Sequence, residues 1–119
     1  MTSLNRTIIG DALVHHLPVD ALSIDLSLVM KHGRSARTLV KQGPLRLTLM
    51  ELAPKGNLPL HSSESSISIH VLKGSVTFSV GEQEYLLAVG DVLVLAGAVE
   101  HSARSENGVL LLLTVVQPT

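Results

Sequence analysis

Apolar and polar residues alternate with a period of two over much of the chain, and no other feature restricts its fold as severely. In residues 74–80, Val76, Phe78 and Val80 alternate with Ser75, Thr77 and Ser79. In residues 44–52, Leu45, Leu47 and Leu49 alternate with Arg46, Thr48 and Met50. In residues 66–72, Ile67, Ile69 and Val71 share one face while Ser68, His70 and Leu72 share the other. Successive side chains of a strand point to opposite faces, so each pattern predicts a strand with one buried face. Residues 92–95 and 109–116 are unbroken apolar runs, as expected of strands buried on both sides.

Turn chemistry divides these runs at short intervals: Gly43-Pro44, Pro54-Lys55-Gly56, Gly81-Glu82, Gly90-Asp91 and Ser105-Glu106-Asn107-Gly108. Many short strands so spaced predict an all-β sandwich or barrel rather than alternating β and α units, with inward faces from Leu45, Leu47 and Leu49, from Ile67, Ile69 and Val71, from Val76, Phe78 and Val80, and from Leu93 and Leu95. The first 35 residues form an irregular or partly extended segment. Residues 11–17 have the composition of one or two helical turns ended by Pro18. In residues 22–30, Leu22, Ile24, Leu26, Leu28 and Met30 alternate with polar residues, which predicts a strand that adds to the barrel sheet or covers a partner subunit. The domain reading is an extension over residues 1–35, packed on the barrel or a partner, and a barrel over residues 36–119.

Composition narrows the function. The 119 residues suit one domain, and a 45% hydrophobic content supplies its core. A formal charge of −1 gives no electrostatic footprint for nucleic acid. Lys31, His32, Arg34 and Arg37 form the one basic cluster, read as a solvated turn. With no cysteine, thiolate catalysis and Cys-ligated zinc are excluded, and a reducing cytoplasm fits. No signal-peptide pattern opens the chain and no apolar stretch is long enough to span a bilayer. One Tyr, one Phe and no Trp leave few stacking platforms for sugars or bases. There is no phosphate-binding glycine loop, nucleophile elbow or H-E-x-x-H helix, and the serines at 62, 63, 65 and 66 lack the orienting acid that a nucleophile needs.

From Gly56 onward the residues resemble the cupin family, and the resemblance runs from about Arg37 to Val116. It rests on Gly56-Asn-Leu-Pro-Leu-His61-Ser-Ser63-Glu64, on Ile67-Ser-Ile-His70-Val-Leu-Lys-Gly74, and on Gly90-Asp-Val-Leu-Val-Leu-Ala-Gly-Ala-Val-Glu-His101-Ser. The family's motifs read G-x5-H-x-H-x3,4-E-x6-G and G-x5-P-x-G-x2-H-x3-N, and three His with one Glu hold a divalent metal. The resemblance implies a double-stranded β-helix, or jelly-roll barrel, and a homodimer. Its ligand set is only half kept: His61 and His101 match, but Ser63 stands for the second His and Ile67 for the Glu. Ala96, Ala98 and Ser105 replace the Pro, the second Gly and the Asn of the second motif, and Gly56 lies one residue too close to His61.

A catalytic divalent site needs about three protein ligands, and Ile67 puts hydrocarbon where the carboxylate belongs. The reading is therefore a pocket lined by His61, Ser63, Glu64, Ile67 and His101 that binds a small polar molecule without a full metal site. Within it, the two imidazoles bond each other through water, hold a carboxylate or carbonyl of the ligand, or serve only as satisfied interior histidines. The alternative is a metal-dependent enzyme of dioxygenase or isomerase type, with His61 and His101 as metal ligands and Glu64 or Ser63 completing the shell. A third reading is an assembly module without a ligand. No cofactor other than such a divalent metal is implied. His70 is expected to point away from the barrel interior, and His15, His16 and His32 are not ligand candidates.

Overall fold

The computed structural model describes residues 13–118 and the backbone of Ile8 and Ile9. The strands are β1 (Ile8–Ile9), β2 (Arg34–Gln42), β3 (Leu45–Leu52), β4 (Gly56–His61), β5 (Ser66–Gly74), β6 (Val76–Val80), β7 (Gln83–Leu87), β8 (Val92–Leu95), β9 (His101–Ser105) and β10 (Val109–Val116). Among the described residues, one helix, α1 (Leu26–His32), and a 3-10 turn at Val19–Ala21 precede β2. A six-stranded sheet, ordered β1-β2-β3-β10-β5-β8, faces a four-stranded sheet ordered β4-β9-β6-β7. Among the described residues, all pairings are antiparallel except that of β1 with β2. Two antiparallel sheets enclosing one core form the jelly-roll barrel that the resemblance implies, within the sandwich-or-barrel class that the alternation and turns predict.

The inner core gathers Leu52, Ile69, Val71, Val76, Phe78, Leu87, Leu95, Val109, Leu111 and Leu113 between the sheets. Ile67, Val80 and Leu93 pack against it, so β5, β6 and β8 turn their expected faces inward. β3 does not. Met50 and Leu52 reach the inner core, whereas Leu47 and Leu49 belong to a second cluster with Leu39, Val40, Leu72, Leu110 and Leu112. That cluster lies on the outer face of the larger sheet, and Leu17, Leu22 and Ile24 of the N-terminal segment cover it. β10 is buried on both faces, as its unbroken apolar run predicts, with Leu111 and Leu113 inward and Leu110 and Leu112 outward. The same expectation fails for β8: Val92 and Val94 are 56% and 69% exposed, because β8 is an edge strand whose outer face none of the described residues covers.

The strand expected over residues 22–30 is instead an extended approach followed by α1. Asp25 caps the helix, its carboxylate accepting the Ser27 N–H at 3.0 Å and the Ser27 hydroxyl at 2.7 Å. These bonds hold the Asp25 carboxyl below its ordinary pKa, with the Ser27 hydroxyl contributing most. Gly33 ends the helix at φ 81°, a left-handed conformation that glycine adopts without a steric penalty. Only Val29 of the helix is buried, and Leu26, Leu28 and Met30 are exposed. Of the helical turns expected over residues 11–17, Asp11 and Ala12 lie outside the described residues, and residues 13–17 are not helical.

The basic cluster is no solvated turn. Lys31 and His32 occupy the last helical turn, where cations suit the helix dipole, while Arg34 and Arg37 lie in β2. Arg37 Nη1 donates to the carbonyls of Ala21 and Ser23, tying the N-terminal segment to the sheet, and burial draws its pKa below the ordinary arginine value. An Arg37→Ala variant should lose about 2 kcal/mol of stability, the usual value for hydrogen bonds from a charged group. It should also be cut faster by thermolysin before residue 34. An unchanged digestion pattern would show that Arg37 does not hold the segment.

Candidate functional site

His61 and His101 meet because β4 and β9 pair antiparallel with these two residues opposite one another. The register breaks between Leu58 and His61. Without that irregularity two residues three apart would face opposite ways; with it, Leu58 and His61 both turn toward the inner face. His101 shares its side of β9 with buried Ala103 and Ser105. The ring centroids are 4.2 Å apart with planes at 63°, an edge-to-face contact. The Phe78 ring lies 6.1 Å beyond His101. His101 is only 6% exposed, while His61 is exposed at the mouth.

Each imidazole is tethered in the same way. His61 Nδ1 lies 2.9 Å from the Pro59 carbonyl and His101 Nδ1 lies 3.0 Å from the Val99 carbonyl, both two residues back along the chain. A carbonyl oxygen only accepts, so each Nδ1 carries the hydrogen and each Nε2 is left open. A cavity of about 80 Å³ adjoins the rings, lined by His61, Ser63, Ser65, Ile67, Leu95, Ala96, Val99, His101 and Val115. A second space of about 30 Å³ lies deeper, between the same rings, Ile67 and core residues including Met50, Leu58 and Phe78. Larger depressions of about 360 and 340 Å³ elsewhere are walled by neither histidine.

Of the five pocket residues expected from sequence, His61, Ser63, Ile67 and His101 come together at the cavity. Glu64 does not. Its side chain is exposed and lines neither space, and its main chain instead packs beneath Gly97. The rest of the wall escaped sequence reasoning. Val115 of β10 and Leu95 of β8 flank Ile67 as its direct register partners, making an apolar row across three strands. The inward alternation of β8 pointed to Leu95, but only strand register identifies Val115. Ser65 is buried, and its N–H donates to Ser63 Oγ at 3.1 Å, which leaves the Ser63 hydroxyl hydrogen free to donate. His70 pairs with Leu112 and Val92, both outward-facing, so it points away from the cavity.

This donor set does not fit a divalent metal of the family's kind. Two imidazoles face a branched hydrocarbon, and among the described residues no three His, Asp or Glu side chains gather to hold an ion.

The loop after β8 closes the mouth. Ala98 N–H donates to the Ser63 carbonyl at 2.6 Å, joining the two motif loops. Ala98 has φ 69° and occupies the position of the second motif's missing glycine. A left-handed residue with a Cβ costs about 1–2 kcal/mol. Ala98→Gly should therefore stabilise the protein by about 1 kcal/mol once the added freedom of the unfolded chain is deducted. Urea denaturation would measure it, and a destabilised variant would contradict the strain.

A family model described as the cupin domain matches residues 48–116. No curated protein matches the chain. Among solved structures, the chain is similar to a conserved protein of unknown function from Streptococcus pyogenes, at 23% identity and TM-score 0.71, covering 96% of each chain. A cupin superfamily protein from Desulfitobacterium hafniense is 11% identical with TM-score 0.73, covering 95% of this chain and 97% of that one. A polyketide cyclase from Streptomyces resistomycificus is 19% identical with TM-score 0.67, covering 73% of this chain and 67% of that one. At these identities the likeness concerns the fold alone.

Proposed function

The chain belongs to the cupin family, and from that premise we propose that it binds a small polar molecule in the barrel interior, against His61 and His101, without a full metal site. The observation that carries this reading is the cavity of about 80 Å³ in which Ile67 stands beside both rings where an acidic ligand would be needed. Most of its wall is hydrocarbon and a few convergent polar groups supply orientation, the usual make-up of a small-molecule site. The enzyme reading asks for a third donor; of the two residues nominated for it, Glu64 is turned to solvent, and Ser63, which lines the cavity, offers only a neutral hydroxyl. Metal analysis of protein purified without a nickel column tests the choice. The expected result is less than about a tenth of an equivalent of Fe, Mn, Ni or Zn. One equivalent, lost in His101→Ala, would replace this proposal with the enzyme.

We further propose a cytoplasmic homodimer. Support for the pairing comes from exposed Val92 and Val94 on the outer face of an unpaired edge strand, apolar area of the kind that subunit contacts cover. Light scattering should give twice 12.7 kDa, falling to the single mass in Val94→Lys. A monomeric wild type would end the dimer proposal.

A further inference from the structure

We infer that the ligand of the His61–His101 pocket is a neutral hydrogen-bond donor, of the class of small primary amides and alcohols, rather than a carboxylate or an ammonium ion. The inference rests on the proposed binding role and names its chemistry. Both rings spend their N–H on a backbone carbonyl, Pro59 for His61 and Val99 for His101. In the neutral ring Nε2 is then a lone pair, so the two rings, both lining the cavity with centroids 4.2 Å apart, keep only an acceptor nitrogen each for a ligand. A carboxylate is also acceptor-only and would set lone pair against lone pair. Among the described residues, no Lys or Arg lines either space to offset an anion, and no Asp or Glu lines them to offset a cation. Desolvating an unpaired ion of either sign is costly.

A neutral donor meets neither obstacle. An amide NH₂ offers two hydrogens to two acceptors, and its carbonyl can accept from the Ser63 hydroxyl, whose acceptor side is already engaged by Ser65 N–H. A short alkyl end suits the Val115–Ile67–Leu95 row. Size sets the remaining limit. A cavity of 150 Å³ accommodates benzene, so spaces of about 80 and 30 Å³ suit a ligand of roughly four heavy atoms.

Three probes of nearly equal size separate the cases: acetamide, acetate and ethylammonium, titrated at pH 8 while the ring resonances of His61 and His101 are followed by nitrogen-15 NMR. The expected spectra show Nδ1–H in both rings, with acetamide bound at least about tenfold more tightly than either ion, the discrimination expected when only one partner matches a hydrogen-bonding site. An Nε2–H tautomer in either ring, or an ion bound as well as the amide, would overturn the inference while leaving a ligand pocket in place. Failure of all three probes to move either ring would remove the binding role as well.

Discussion

Replacing Gly97 with alanine should cost about 3 kcal/mol and lower the melting temperature by roughly 10 °C, an overpacking penalty at the upper end of its ordinary range. A Cβ built at Gly97 would overlap the Glu64 carbonyl oxygen and crowd its carbon, both main-chain atoms that cannot swing aside. The loop after β8 would have to lift from the loop between β4 and β5. Lifting it would strain the neighbouring bond from Ala98 N–H to the Ser63 carbonyl. Those two loops carry Ser63, Ser65, Ala96 and Val99 to the cavity, so the change should open the mouth as well as destabilise the fold. Calorimetry together with the His61 and His101 ring resonances would report both effects. A variant with wild-type melting and unshifted rings would mean that the two loops are not in contact.

The second large effect is a gain. Ser63→His combined with Ile67→Glu restores the ligand types that the family motif places at these positions, beside two histidines already facing the cavity. Without metal the double variant should be less stable by about 2–3 kcal/mol, because it buries an unpaired carboxylate in a hydrocarbon row. With Zn²⁺ or Mn²⁺ at about a thousand times the dissociation constant, binding should return about 4 kcal/mol. Calorimetric titration should count one ion per chain, against none for the wild type. A double variant that takes up no stoichiometric metal would show that position 67 does not face the two rings as described.

How far this could be read from sequence follows from what each pattern encodes. Alternation in residues 66–72 and 74–80 fixed which side chains share a face, and the core chose the apolar one. In β3 both faces are apolar enough to bury, so alternation alone points Leu47 and Leu49 to the barrel interior although they pack under the N-terminal segment. Knowing that residues share a face does not say which side of the sheet it is. The helix was hidden differently: Leu22, Ile24, Leu26, Leu28 and Met30 keep a period of two straight through it. The local signals that decide the matter are Asp25 at its start and Gly33 past its end. At the site, His61 and His101 were legible as motif positions. That they face each other depends on the register break after Leu58, and the partnership of Val115 with Ile67 depends on long-range pairing. Neither leaves a trace in local spacing.

β10 lies between β3 and β5, pairs along its whole length with both, and seals hydrocarbon above and below the larger sheet. It also comes after both partners in the order of synthesis. On the ribosome, β3 and β5 therefore lack the strand that joins them until residues 109–116 emerge. Closure through such distant pairings is slow and leaves open edges in the interval. Nascent chains halted before residue 109 should thus be the species most in need of a chaperone.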